Sequence, residues 1–582
     1  MAWRWAGVQR YPRTFGPVLP KPQKALKVHA DSAPSRAASS VAGTVRHVVG
    51  GVLAAGGVAL AAFTGCGTSS SWDDPRVFRY NESAAITSLD PAAARSLEHM
   101  WVVDQLYDGL VELGPSLTVE PCLAQRWTYT DSTHTYRFHL RPGVTFSTGK
   151  PLTASDVVAS LERLRDPEVL SSGGWILDAV APAGIQAADD STVDIALTHA
   201  YPAFLGLLTT AYGSILDADA HRRAPDSLRA RPLGSGPFVL AWWLPDAGLV
   251  MHRNPRYWER DDQGRPLPYL EAVHVDVVQD MGAEFLGLTQ GRYDFLSGLH
   301  PAYMESLLDA DGQLQPSWEP TLTLRQIPFL KTDYVGVALH GPQTPEALRD
   351  PRVRRALSLA LDRHGMVAHL RRNAVRPTDH FVPPSMVGRA EPPAVARNVT
   401  LAQALLADAG HPGGEGIPPL VLSTTSDYAD LCAAMQHDWA ALGVEVAVDV
   451  VPASVHRERV AQGETALFYK SWLADHADAE NFLGLFLRAN FAPGGPNYTH
   501  YEAEGYEVLA RRALQTADEA ERRAIYRQMD FMIHEDMPVI PLFHDQVTHV
   551  ISNDVEGWTL HPVNRLDLRR VTKRAAGVDK LD

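Results

Sequence analysis

From about residue 330 to 540 the chain alternates capped amphipathic helices with short strands. That alternation restricts this half to an α/β layer architecture. Asp350-Pro351 puts proline at a first helical position, and Val353, Leu357, Ala360 and Leu361 then fall on one apolar face. Thr400-Leu-Ala-Gln403 reads as a capping box for a second helix, which stops at Gly410 with Pro412 just beyond. A third helix is expected over roughly 427–442, ended by Gly443, and the valine-rich run 444–451 follows as a strand. With 582 residues the chain is too long for one core, so two or three domains are expected.

The formal net charge is −15, yet the first 65 residues are basic: Arg4, Arg10, Arg13, Lys21, Lys24, Lys27, Arg36 and Arg46 stand against Asp31 alone. The body is therefore strongly acidic. It lacks the basic footprint that nucleic-acid binding requires, and the charge suits a solvated surface. Of the three cysteines, Cys66, Cys122 and Cys432, none forms a CxxC pair, so no zinc or redox motif is present. Cys122 and Cys432 could be bridged in an oxidising compartment, but they fall in different expected domains, which favours two separate buried thiols.

The apolar run 48–63 follows Arg46 and precedes Thr64-Gly65-Cys66, which is the order of a charged region, an apolar region and a cleavage site. The run is short and glycine-rich beside the about 20 apolar residues of a spanning helix. Residues 1–35 are long for a signal region, and a translation start nearer residue 41 is expected. Gly67 to Ser70 read as a flexible tether.

Between Leu123 and Leu164 the chain reads LAQRWTYTDSTHTYRFHLRPGVTFSTGKPLTASDVVASLERL. Tyr136, Phe138 and Leu140 alternate with Arg137 and His139 as a half-buried strand. Pro142-Gly143 turns the chain. Thr153 and Asp156 form a capping box, and Val157, Val158, Leu161 and Leu164 make the apolar stripe of the helix that follows. As a whole this stretch resembles the signature of the family 5 extracellular solute-binding proteins, the dipeptide, oligopeptide and nickel-binding components of ABC importers. Further segments resemble that family in order along the chain: Leu106-Tyr-Asp-Gly-Leu110, Gly234-Ser-Gly-Pro-Phe238, Arg253-Asn-Pro-Arg-Tyr-Trp258, Gly291-Arg-Tyr-Asp294, Asp350 onward, Leu405 to Gly410, Trp472-Leu-Ala-Asp475 and Glu535-Asp-Met-Pro-Val-Ile-Pro541.

The resemblance implies an α/β, two-lobed periplasmic-binding-protein-like fold of type II (Venus-flytrap), with an extra domain in the first lobe. The expected division is an N-terminal extension and lipoprotein signal peptide over 1–65 and a tether over 66–74. Domain I is then discontinuous, over 75–112, 222–330 and 546–582, with domain II over 113–221 and domain III over 331–545. The site before Cys66 resembles a lipobox with Phe63 in place of the usual Leu, which implies lipidation of Cys66. The implied activity is capture of short peptides between the lobes, and delivery to a membrane permease with its ATPase. No cofactor, no resident metal and a monomer are expected.

The resemblance also names candidate ligand residues. Asp475 matches the aspartate that pairs with a peptide α-ammonium in relatives; capping of the following helix is its other reading, a task for which Asp478 competes. Trp472 either walls the pocket or packs in the core. Tyr334 precedes a strand leaving the hinge, where the run Val-Gly-Val-Ala-Leu-His340 departs from the asparagine frequent in the family; Tyr107 and Ser235 lie in matched segments, where turn and core roles compete with ligand contact. Arg371, Arg372 and Arg376 are candidates by location for a ligand carboxylate. Ser147-Thr148-Gly149 departs from the family's Asp-Gly, but the turn is expected to survive through Gly149. Receptors for a nickel chelate or another small solute, and peptide-sensing receptors, use the same fold, and His476 beside Asp475 is the one pair that suggests metal. The chain contains no HExxH, GxSxG, Walker loop or GxGxxG followed by an acid, so no enzyme motif competes.

Overall fold

The computed structural model describes residues 74–224, 227–390 and 396–574. Cys66, its leader and its tether lie outside the described residues. The chain enters through β1 (Val77–Glu82). A separate four-stranded sheet follows, built from β2 (Ala124–Thr130), β3 (Thr135–Leu140), β4 (Val180–Asp189) and β5 (Thr192–Leu197) in the order β2-β3-β5-β4. The alternation in the sequence of β3 appears directly in space: Tyr136, Phe138 and Leu140 are buried while Arg137 pairs outward with Asp194 at 2.7 Å. Against this face packs α1 (Ala154–Arg165), whose N-terminal Asp156 reaches back to the Thr153 N–H at 3.1 Å. Gly149, with φ of +89°, makes the preceding turn that any side chain would strain.

Four more strands extend the sheet begun by β1: β6 (Phe238–Leu244), β7 (Gly248–Arg253), β8 (Ala272–Val277) and β9 (Phe295–Ser297). Then comes the 16-residue β10 (Leu322–Val337), which pairs antiparallel along nearly its whole length with β15 (Val539–Ser552). Between them in sequence lie β11 (Arg376–Pro377), β12 (Leu420–Thr424), β13 (Val446–Val450) and β14 (Leu467–Leu473). The order is β13-β12-β14-β10-β15-β9-β1-β8-β7-β6, with β11 added beside β15. One half of this sheet belongs to each lobe, and β10 and β15 run through both.

The crossing pair is irregular at two neighbouring places, and between Asp333 and Tyr334 the register skips Leu542 of β15. Pro328 faces Gln546 and the next pair is Thr332 with His544, so residues 329–331 stand opposite Asp545 alone. Such a bulge bends the bulged strand and sharpens its twist. On either side the cores separate. One apolar cluster includes Phe78, Tyr80, Phe138, Leu161 and Phe295; a second holds Tyr334, Val353, Leu422, Trp439 and Phe468. Residues of 113–221 share the first cluster with the rest of their lobe.

The second lobe contains α2 (Pro351–Ala360), α3 (Val399–Asp408), α4 (Ala429–Ala440), α5 (Glu480–Leu483) and α6 (Glu519–Asp536). Asp350 caps α2 by accepting the Arg352 N–H at 2.8 Å. For α3 the sequence expectation needs correction. The cap is Asn398, which accepts the Leu401 N–H at 2.9 Å, and not Thr400. Its own N–H donates to Leu359 O at 2.8 Å, and this bond to the end of α2 fixes where α3 begins. Cys122 and Cys432 are free and buried, each in its own lobe. Among the described residues no helix is long and apolar enough to cross a membrane.

Candidate functional site

β12 runs parallel to both β13 and β14, so the three carboxyl ends lie along one edge of the second lobe's sheet. Open α/β sheets bind ligands outside such ends. Asp475 stands two residues past the end of β14. Its flanking residues Ala474 and His476 are buried, but Asp475 is exposed. Protein nevertheless surrounds the carboxyl closely enough that lost hydration pushes it up to about 6, an effect partly offset by a hydrogen bond from Asn481.

Asn481, the second residue of α5, organises this corner. Its Nδ2 donates to Asp475 Oδ2 at 3.2 Å, and its Oδ1 accepts both Trp472 Nε1 at 2.9 Å and the Asp475 N–H at 3.3 Å. One amide thus orients the carboxylate and the indole together. Its place in sequence carried no motif, and nothing before the fold singled it out. The residue before α5 is Ala479, and at its start it is Asp478, not Asp475, that accepts the Glu480 N–H at 3.0 Å.

The opposite wall comes from the first lobe. Tyr212 lies close enough for the Asp475 charge to add to the burial that raises its phenol. Its hydroxyl donates to Ala94 O at 2.7 Å, which fixes the ring. Trp175 meets that ring edge-on at 6.4 Å. Beside them Tyr201 donates to Glu480 Oε1 at 2.8 Å, a buried hydrogen bond between the lobes. Burial, with Asp478 adding, holds the Glu480 carboxyl well above the usual range. A carboxylate held beside Trp472 and facing the Tyr212 wall is suited to a small cationic or zwitterionic solute, with which it makes a charge-assisted hydrogen bond.

The remaining sequence candidates are placed elsewhere. Tyr334 pairs with Lys470 on β14, one alternate position from the Thr332–Trp472 pair, and is buried against Phe381, with ring centroids 5.2 Å apart. Tyr107 and Ser235 come together in the first lobe. Ser235 Oγ donates to Asp108 Oδ2 at 2.9 Å, and Gly236 N–H to Leu106 O at 3.2 Å. A Cβ on Gly236 would lie 2.4 Å from the Leu106 carbonyl carbon, so this loop needs glycine for a close backbone approach. Arg371 is spent on Asp430 at 2.8 Å and Arg372 on Glu305 at 2.8 Å. His476 is buried, with its pKa depressed to about 4 by desolvation, and its Nδ1 lies 3.4 Å from Asn481 Nδ2. At pH 7 its imidazole is neutral.

Two lobes joined by a pair of crossing strands place the molecule in the type II binding-protein class. A family model described as bacterial extracellular solute-binding proteins, family 5 Middle, matches residues 118–493. The chain belongs to this family, whose members are transport receptors and not enzymes. Among its relatives is a probable deoxycholate-binding periplasmic protein of Escherichia coli K12, 27% identical over 516 residues, covering 84% of this chain and 91% of the relative. A dipeptide-binding protein from the same organism is 25% identical over 493 residues, covering 80% and 89%. The periplasmic binding protein DppA of Helicobacter pylori, solved with the peptide STSA, superimposes with a TM-score of 0.69 at 25% identity, covering 85% of this chain and 98% of that one.

Proposed function

We propose that this protein captures short peptides in the cleft between its lobes and delivers them to the permease and ATPase of an ABC importer. The observation that carries the reading is the Asp475 carboxylate, set by Asn481 in the interlobe space beside Trp472 and facing the Tyr212 wall. A peptide α-ammonium supplies the charge and the three N–H donors that such a carboxylate accepts. The dipeptide-binding and STSA-bound relatives support the same chemistry. Tyr334, Tyr107 and Ser235 act in this reading by holding the strands and loop that frame the cleft.

The proposed division places domain I over 75–112, 222–330 and 546–582, domain II over 113–221 and domain III over 331–545. The bulge at 328–332 and the separate apolar clusters support the boundary near 330. Anchoring is proposed through a lipid on Cys66, supported by the apolar run and small residues that precede it. The protein works as a monomer. Metabolic labelling with a palmitate analogue tests the anchor: label on the native chain that Cys66→Ser abolishes is expected, and label that persists overturns it.

Native mass spectrometry of the purified chain tests the ligand. Co-purified masses in the range of two to five amino acids are expected. A bound metal chelate, bile acid or porphyrin overturns the peptide reading. Deleting the gene for this protein with the permease intact separates transport from sensing, since direct loss of peptide uptake is expected of a transport receptor only.

A further inference from the structure

A cluster in the second lobe takes no part in the cleft. β11 continues its pairing with β15 through Thr378, whose N–H donates to Leu542 O at 3.0 Å. Thr378 Oγ1 then accepts the His380 N–H at 3.1 Å, in a turn that sets Asp379 and His380 side by side. Facing them on α6, Asp530 and His534 are four residues apart and share one face of the helix. The His380 and His534 rings lie nearly parallel, with centroids 4.6 Å apart and planes 15° from coplanar. One nitrogen from each ring and one Asp379 carboxylate oxygen lie within 4.8 Å of one another.

Two further observations separate this cluster from a chance gathering. The first is that both Nδ1 atoms are held. His534 Nδ1 lies 3.1 Å from the Asp379 carbonyl oxygen, an atom that only accepts, so Nδ1 carries the proton and Nε2 the lone pair. His380 Nδ1 lies 3.1 Å from Asp530 Oδ2, a fully buried carboxylate also held by the Val382 N–H at 3.2 Å and Arg389 at 3.1 Å. A carboxylate and a backbone carbonyl holding one nitrogen of each ring are the kind of outer partners that orient metal-bound imidazoles. The second observation is that Asp379 is only 5% exposed, and among the described residues no hydrogen bond reaches its carboxylate. The nearby Arg363 is spent on Pro541 O at 2.8 Å, Ser358 O at 2.9 Å and Ser358 Oγ at 2.7 Å. With no donor on it, this carboxylate is left available to a cation.

We propose that His380, His534 and Asp379 form a binding site for one divalent transition ion of the zinc class, which ties the segment after β11 to α6. Two imidazole nitrogens and a carboxylate oxygen are the donor set such ions take, with water in the fourth position. Bonds of about 2.0–2.1 Å put tetrahedral ligands ~3.3 Å apart, so the three groups close by a modest side-chain rotation on binding. Arg363 and Arg389 temper the affinity. The site shares no residue with the solute cleft, and it does not rest on the peptide reading.

The test uses the full chain without a polyhistidine tag, stripped with chelator and titrated with zinc chloride in a calorimeter. The expected result is one zinc per chain, with His534→Gln and Asp379→Asn each weakening it about 10-fold or more. Circular dichroism and solute affinity should be unchanged in both variants. X-ray absorption of the wild-type zinc form should show two imidazoles and light oxygen ligands, a reading that stands even where a variant fails to fold. No zinc uptake, unaltered uptake by a folded His534→Gln chain, or a different ligand set overturns the proposal.

Discussion

If Asp475 holds a cationic group of the solute, binding must depend on pH in a direction the structure sets. In the empty cleft the carboxyl titrates at about 6, because enclosure disfavours its charge. A bound ammonium favours the carboxylate, so the liganded pKa is lower. Affinity is therefore full above about pH 6 and is lost as pH falls through that value. At pH 5 about one carboxyl in ten is ionised, which corresponds to roughly a tenfold weaker Kd, or ~1.4 kcal/mol, relative to pH 7.5. Asp475→Asn removes both the charge and this dependence, and should cost about 2–5 kcal/mol at pH 7.5. The sign for stability runs the other way. A carboxyl raised in the folded state binds its proton more tightly there, so the empty fold loses stability as pH rises from the ordinary carboxylate range through about 6 and stays weakened above it. Asp475→Asn should then leave the unliganded protein at least as stable at pH 7.5. Calorimetry from pH 5 to 8 with an identified peptide, beside thermal melts, measures both. A flat affinity profile for the wild type, or the same slope in Asp475→Asn, would falsify the assignment.

Three other changes probe the supports. Asn481→Ala frees both Trp472 and Asp475 and should weaken solute binding by about 1–2 kcal/mol, with a shifted tryptophan emission on titration. Tyr201→Phe deletes the buried bond to Glu480 and should favour the open form by about 1–3 kcal/mol, seen as a larger radius of gyration in X-ray scattering. Since burial holds the Glu480 proton in the contact, rising pH should open the wild type in the same direction. Gly236→Ala drives a methyl into the Leu106 backbone and should lower Tm by several degrees in a melt, with no specific effect on the second lobe's chemistry.

The parts of the fold written locally were legible. Strand β3 and the Asp156 and Asp350 caps follow from alternation and from short polar side chains at fixed offsets. The start of α3 was misread because Thr400 and Asn398 both suit a cap, and the choice is made by a bond to Leu359 that is distant in sequence. Trp472 and Asp475 were visible through a short motif. Asn481 was not, because an amide that serves two neighbours leaves no periodic trace. Tyr201, Tyr212 and Trp175 reach the site from more than 260 positions earlier in the chain, and only the approach of the lobes brings them there. The bulge in β10 is equally hidden: it is a mismatch of register that exists only relative to β15, more than 200 residues away in sequence.

That bulge bears on how the molecule signals. The lobes are not joined by a loose tether; they share one hydrogen-bonded ribbon whose register breaks only within the short stretch 328–334. A ribbon of this kind flexes about one axis and resists sliding and twisting, so opening and closing reduce to one mechanical coordinate. Occupancy of the cleft is thereby converted into an angle. Any partner that touches both lobes at once can measure that angle without ever contacting the solute.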